Sequence, residues 1–359
     1  MTRDASPERK PADARTATTF AVRSRFGSFH EMAGAIEDAR LGTYILSRES
    51  RPWQRTAFRL GECLLQQGVD GAPHVTTGRM EPDRVGFLVV GEDAAPRSCN
   101  GQLLDAGSIF GWGAGAEVAV LAREPGAWMA VSASPDALAR VAAATDPERA
   151  AAPAVPTGLL ATSPEETAAL RALLGEAAAA FDRAGTAGLP AEAARRLGED
   201  VLRLVARLSA GGRGAPPRKR RPRVDRARVV SRVEELFAAT SAEPVYVSTL
   251  CEALGIPERT LRLVFVEQYG AGPTHVLRCR RLCQARRALL EAPPEAHVAG
   301  IAGRFGFWHL GQFAVDYRRL FGERPSETLR CASSRAGDRA RTPGRWPSGV
   351  PLVAALATA

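Results

Sequence analysis

Hydrophobic and polar positions along the 359-residue chain change texture twice. Residues 1–22 are polar and Pro/Ala-rich without periodicity, which predicts a disordered leader. Ser28–Leu41 sets Phe29, Met32, Ile36 and Ala39 or Arg40 at three- and four-residue steps, the spacing of one amphipathic helix. Between Tyr44 and Val131 the apolar runs shorten to Ala57–Leu65, Val85–Val90, Ser108–Phe110, Val118–Leu121 and Trp128–Val131. Turn-forming clusters such as Gly68–Pro73 and Gly91–Pro96 separate them, so residues 23–150 are expected to form an antiparallel sandwich or barrel. Ser163-Pro164-Glu165-Glu166 reads as a helix start, with serine at the N-cap, proline at the first helical position and acids on the positive end. That helix is expected to reach Ala184, and Pro190 to open another that reaches Leu208, giving a helical connector over 159–210.

Gly211–Arg223 has no apolar residue able to fold it and reads as a flexible basic linker, with a domain boundary at 211–224. From Asp225 the spacing predicts helices at 226–240, 247–254, 257–269, 273–291, 297–304 and 308–321. A C-terminal all-α domain at 225–331 and a mobile tail at 332–359 follow. The expected fold class is therefore α+β and multidomain: a β-rich N-terminal domain, a helical connector and an all-α C-terminal domain.

Charge sharpens this division. Residues 213–330 hold 21 basic and 12 acidic side chains, whereas residues 1–212 hold 23 and 26. A basic third beside a near-neutral remainder points to a polyanionic partner or to a solvated basic surface. Composition is otherwise that of a globular protein, with 45% hydrophobic and 24% charged residues. No apolar run of about 18 residues occurs, which predicts no membrane partner. Met1–Lys10 has no apolar core of a signal peptide, so the six cysteines are expected reduced, in the cytoplasm.

The chemistry lies in Val247–Phe265. Val247, Leu250, Cys251 and Leu254 form one buried helix face, Gly255 permits the left-handed turn, and Pro257 suits the first position of the next helix. Leu261, Val264 and Phe265 then face inward and leave Glu258, Arg259 and Arg262 outward, a helix-turn-helix whose second helix suits a major groove. The pattern recurs over Val298–Phe321. Val298, Ile301, Ala302 and Phe305 pack inward, Gly306 turns the chain, and Phe307, Phe313, Tyr317 and Leu320 hold the second helix. His309, Gln312 and Arg319 are left for the outward face, and Trp308 is expected to pack.

These motifs, with Gly270-Ala271-Gly272-Pro273, Arg281-Leu282, Ala285-Arg286, Leu289 and the closing Phe321-Gly322-Glu323-Arg324-Pro325-Ser326, resemble the AraC/XylS family of bacterial transcriptional regulators over Ala227–Arg330. The resemblance implies sequence-specific binding of double-stranded DNA, most often as an activator working with RNA polymerase, through two recognition helices braced by the helix at 273–291. Carried over by position, the first recognition helix offers Glu258, Arg259, Thr260, Arg262 and Leu263 to DNA. The second offers His309, Leu310, Gly311, Gln312, Ala314, Val315, Arg318 and Arg319. Leu263 and Val315 stand where the family often carries arginine, so base reading is expected mainly in the first motif and phosphate positioning in the second. Arg259 and Arg262 alternatively contact phosphate or only solvate the helix, and His309 alternatively caps its own helix. The resemblance also implies that the β-rich domain is a cupin-like barrel sensing an unknown small-molecule effector, with a layout loosely similar to the ethanolamine-operon regulators. It implies a homodimer through helices 164–208, unless these pack within one chain.

No catalytic constellation stands out, and no cofactor is expected. Cys279 and Cys283 with His275 lack further metal ligands and read as small core residues, and Arg278-Cys279-Arg280-Arg281 reads as a solvated face or, alternatively, as a stretch approaching the DNA backbone. Gly111–Ala116 superficially matches a dinucleotide fingerprint, but a strand-like run follows it instead of a helix. His30 and His74 are too few for a cupin metal site, and Trp53, Phe58, Phe87, Trp112 and Trp128 read as core more readily than as the lining of a pocket. The competing readings are a non-specific DNA-organising protein and an enzyme carrying a DNA-binding module. The first leaves two shaped recognition helices unused, and the second lacks a catalytic site.

Overall fold

The computed structural model describes residues 21–26, 29–145, 155–185, 188–210, 226–240, 244–293 and 295–332. Residues 1–20 of the expected leader, the linker at 211–224 and the tail from 333 lie outside them; the expected disorder at Ala21 and Val22 is corrected, because both belong to the strand Ala21–Phe26, paired with Trp53–Phe58. Two compact units divide between Cys283 and Gln284.

The first unit holds two antiparallel sheets. The seven-stranded sheet runs in the order β1 (Ala21–Phe26), β3 (Trp53–Leu60), β4 (Cys63–Val69), β11 (Ala127–Ala133), β6 (Val85–Val90), β9 (Phe110–Trp112) and β12 (Gly158–Leu159). The five-stranded sheet runs β2 (Ala39–Ile45), β5 (His74–Met80), β10 (Glu117–Ala122), β7 (Arg97–Cys99) and β8 (Gln102–Leu104). β6 shows why one apolar run needs no polar alternation. Its Val85, Phe87 and Val89 enter a core shared with helices, whereas Leu88 and Val90 enter the core between the sheets. A strand covered on both faces reads as continuously hydrophobic.

Three helices cover the outer face of the large sheet: α2 (Pro135–Thr145), α3 (Pro164–Ala184) and α4 (Ala191–Ala210). α3 starts as read from sequence. Ser163 caps it, and the Glu166 carboxylate accepts from the Ser163 backbone N–H at 2.9 Å. Leu170, Leu174 and Phe181 of α3 and Val201, Leu202 and Val205 of α4 are buried within the chain. α2 gave no recognised signal.

Two expectations need correction. The helix read over Ser28–Leu41 is only α1 (Phe29–Ala35). The chain turns at Asp38, held at φ 63 with its carboxylate accepting from the Ser132 hydroxyl at 2.7 Å, and continues as β2. Pairing of β2 with β5 along its length outweighs the helical spacing of its side chains. The Ala57–Leu65 run is two strands, not one, because Gly61 at φ 58 folds β3 back onto β4. Polar-looking β2 and β5 went unread as strands because Thr43 and Thr76, whose hydroxyls lie 2.8 Å apart, are buried in the sheet.

Four helices complete the first unit's chain: α5 (Arg226–Ala239), α6 (Val247–Leu254), α7 (Glu258–Tyr269) and the beginning of α8 (Pro273–Leu290). They dock on the sandwich. The Tyr44 ring meets Phe237 edge-on at 6.1 Å, His275 Nε2 lies 3.0 Å from the Leu46 carbonyl, and Arg123 donates to the carbonyls of Glu267 and Gln268 at the end of α7. The second unit comprises the end of α8, α9 (Val298–Arg304), α10 (Leu310–Phe321) and a last helix, α11 (325–332). Its core centres on Ile301, Phe305, Phe313, Tyr317 and Leu320, and the Tyr317 hydroxyl meets that of Thr328 at 2.9 Å. No described helix is long and apolar enough to cross a membrane.

Two helical glycines make the packing of α3 and α4 measurable. A methyl group on Gly175 of α3 meets open space, but one on Gly198 of α4 falls 2.1 Å from the Leu60 carbonyl oxygen. Gly175→Ala is expected to stabilise by roughly 0.5–1 kcal/mol, the ordinary helix preference for alanine. Gly198→Ala is expected to destabilise, lowering Tm in thermal unfolding; a rise in both variants would contradict the close approach of α4 to β3.

Candidate nucleic-acid interface and an interior cavity

The two helix-turn-helix motifs share one construction. In the first, Gly255 ends α6 at φ 63 and ψ 31, and its N–H returns to the carbonyls of Cys251 and Glu252. Pro257 occupies the N-cap of α7, one residue earlier than expected. Leu261, Val264, Phe265 and Tyr269 are buried, whereas Glu258, Arg259, Arg262 and Leu263 are exposed and Thr260 is half-buried. Of the α6 face, Leu250 is buried and Val247, Cys251 and Leu254 are half-buried.

In the second motif Gly306 turns the chain at φ 72. Phe313, Asp316, Tyr317 and Leu320 of α10 are buried, and Leu310, Gly311, Gln312, Val315, Arg318 and Arg319 are exposed, with Ala314 half-buried. His309 stands at the N-cap and is exposed, but its side chain makes no capping bond. Gln312 Nε2 donates to Asp316 Oδ1 at 3.0 Å, one turn along the same helix. α7 and α10 each have 12 residues and each end on a left-handed glycine, Gly270 and Gly322. Leu261, Phe265 and Tyr269 thus match Phe313, Tyr317 and Phe321.

Trp308 corrects the sequence reading. It is 78% exposed rather than packed. Phe307, half-buried, takes the inward place, its ring packed at a 42° tilt against Phe313 with centroids 4.9 Å apart. Arg280 is a second correction, because sequence alone points to a solvated face for its stretch. It is buried and donates to the carbonyls of Phe237 and Thr240 at 2.8 and 2.6 Å, tying α8 to α5. Burial lowers its pKa, yet a guanidinium keeps its charge. Arg281 lies 5.3 Å from the Tyr246 ring centre, and Arg278 is exposed. Cys279 and Cys283 are buried core positions, with Cys279 Sγ 3.5 Å from His275 Nε2. Among the described residues no group of three His, Cys, Asp or Glu side chains is placed to hold a metal.

A cavity of about 110 Å³ lies inside the β-sandwich. Its wall is mostly apolar, from Met32, Ile36, Leu41, Met80, Val120 and others, and it includes Phe87, Trp112 and Trp128. The reading of the aromatic set as core therefore holds for Trp53 and Phe58 but is incomplete for these three. Asp70, His74 and Arg97 also reach the cavity. Asp70 accepts from Arg97 Nη2 at 2.5 Å and from the Trp128 indole at 3.0 Å. Arg97 Nε is buried and has no hydrogen-bond partner. The sequence offered no signal for this trio, whose members sit in separate turns and strands.

The helix-turn-helix domain family matches residues 250–330. The XylDLEGF operon transcriptional activator 2 of Pseudomonas putida is 34% identical over 111 residues, which are 29% of this chain and 70% of that protein. The chain belongs to the AraC/XylS family of transcriptional regulators. The probable thc operon regulatory protein of Rhodococcus erythropolis is 35% identical over 103 residues, 28% of this chain and 31% of that relative. The chain thus spans about a third of the length of the first curated relatives it matches. Among solved structures, the AraC-like transcriptional activator CuxR aligns over 76% of this chain and 96% of its own, at 14% identity and a TM-score of 0.37.

His74 gives the cavity a pH signature. Burial lowers its pKa against the opposing pull of Asp70, with Arg97 adding to the lowering. The neutral ring is therefore favoured in the fold, while an unfolded histidine gains its proton near pH 6.5. This contribution to stability is complete above that pH and is lost as pH falls below it. Denaturant unfolding at successive pH values from about 7 to 5 should show a steeper loss in the parent than in His74→Gln. Equal slopes would count against a neutral buried His74.

Proposed function

We propose that the protein is a sequence-specific DNA-binding transcriptional regulator, acting as an activator in the cytoplasm, whose β-rich domain senses a small molecule. The observation carrying this reading is the matched pair of 12-residue helices, α7 and α10, each with an apolar stripe buried and a broad face open. On α7, Arg259 and Arg262 are long enough to donate two hydrogen bonds each to guanine O6 and N7 in a major groove. Glu258, Thr260 and Leu263 complete that surface. On α10, Arg318 and Arg319 meet phosphates, and His309, Leu310, Gly311, Gln312 and Val315 face the groove. RNA polymerase is the protein partner of an activator of this kind, and residues 225–331 are the DNA-binding domain.

The cavity supports the sensing role. Its volume of about 110 Å³ suits a molecule no larger than a single ring, since dry apolar cavities of roughly 150 Å³ hold benzene. The buried Arg97 Nε favours a ligand with a hydrogen-bond acceptor. β2 links this site to the DNA-binding helices. Ala39 and Leu41 line the cavity, and the Leu46 carbonyl just past the strand's end meets His275 and Cys279 of α8. A ligand that shifts β2 would therefore bear on the helix that follows the first recognition helix.

The test is binding to duplexes that the protein itself selects from a random-sequence library. Binding to the selected site should exceed binding to random DNA by a factor of order 10³ or more, and should weaken steeply with salt as phosphate counterions are released. Arg262→Ala should cost about 1–3 kcal/mol and relax base preference, whereas Arg319→Ala should weaken all sequences alike with a shallower salt slope. Intact discrimination in Arg262→Ala together with its loss in Gln312→Ala would move base reading to the second motif.

A further inference from the structure

The centre of each recognition face carries an aliphatic side chain where hydrogen-bonding readers would be expected. At 3.6 residues per turn, the line opposite the buried stripe of α7 passes through Arg259, Leu263 and Val266. On α10 it passes through Gly311, Val315 and Arg318. Leu263 is 57% exposed and Val315 53%. Single exposed aliphatics need no explanation. These two differ because they hold the same place in two separate helices. Each stands two residues after the inward anchor Leu261 or Phe313 and two before the inward ring of Phe265 or Tyr317. Each is also set among arginines, Arg259 and Arg262 on one helix and Arg318 and Arg319 on the other.

We infer that Leu263 and Val315 each read a thymine through its C5-methyl group, an inference that rests on the DNA-binding reading above. Thymine alone among the four bases presents a methyl group in the major groove, and apolar side chains recognise it by contact. The face of α10 is built for such an approach. Gly311, one turn before Val315, carries no side chain on this face, and a Cβ there would meet nothing within 4 Å, so no packing inside the protein requires the glycine. Gln312 engages its amide with Asp316 at 3.0 Å along the helix flank, and Leu310 and Trp308 extend the apolar surface at the helix start. On α7 the guanidinium groups of Arg259 and Arg262 flank Leu263, so the first half-site pairs guanine with a neighbouring thymine. The second motif then reads bases too, by shape and methyl contact, beyond the mainly phosphate-positioning role that its missing arginine suggested.

The experiment uses the full chain and a duplex it selects from a random-sequence library. Each thymine is replaced singly by deoxyuridine, which removes only the methyl group, and affinity is read by fluorescence anisotropy. One position in each half-site should lose about fourfold in affinity, the worth of one buried methyl group. Leu263→Ala should abolish the loss at the first position only, and Val315→Ala at the second only, since both side chains are exposed and leave the core intact. Competition-resistant binding that no deoxyuridine alters, or losses that persist unchanged in both variants, overturns methyl reading and leaves the DNA-binding function standing. Failure to select any duplex over random DNA overturns the function itself, and methyl reading with it.

Discussion

The recognition surfaces depend on one constraint: a 12-residue helix must bury a stripe of its own surface to stay in place. Isolated helices of this length are marginal in water, so their order comes from tertiary packing. α7 spends Leu261, Val264, Phe265 and Tyr269 on that stripe, and α10 spends Phe313, Tyr317 and Leu320. Each fully buried side chain of this kind contributes about 1.5–3 kcal/mol. Burial also fixes rotation about the helix axis, because turning the helix would drive arginines inward and aromatics out. The outward identity of Arg259, Leu263, Gly311 and Val315 follows from what is anchored behind them.

The same economy governs the sandwich. β6 is buried on both faces, one against α3 and α4 and one against the smaller sheet. A two-sided core needs helices outside and a second sheet inside, and the interior layer does not close completely. The space left is the cavity beside the Asp70–Arg97 pair. Desolvating an ion pair can cost more than its attraction returns, so this buried pair is no sure source of stability. The Arg97 Nε beside it is buried without an acceptor.

Docking of α5 to α8 on the sandwich is built from unlike parts: an edge-on aromatic contact at Tyr44 and Phe237, Arg123 on the carbonyl end of α7, and His275 with Cys279 on the Leu46 carbonyl. Arg280 reinforces it from within by holding the end of α5. Most of these bonds join a side chain to a backbone carbonyl, and Val230, Val233 and Phe237 of α5 are buried as well.

Helical periodicity, Gly255 and Gly306, and the Ser163–Glu166 capping box were legible in the sequence, because they are local: each is decided by residues within a turn or two of one another. The outward placement of the candidate DNA-facing residues was legible for the same reason, since it is the complement of a local stripe. What the sequence could not reveal required partners distant in the chain. β2 is a strand because β5 pairs with it, against its own helical spacing. Arg280 is buried because the carbonyls of Phe237 and Thr240 await it, and Trp308 is exposed because Phe307 takes the inward place first. The cavity gathers Asp70, His74 and Arg97 from separate segments. Local spacing determined the capped and glycine-ended helices and which way they face; long-range pairing and competition for the core decided the strand β2, the exposure of Trp308 and which polar groups are enclosed together.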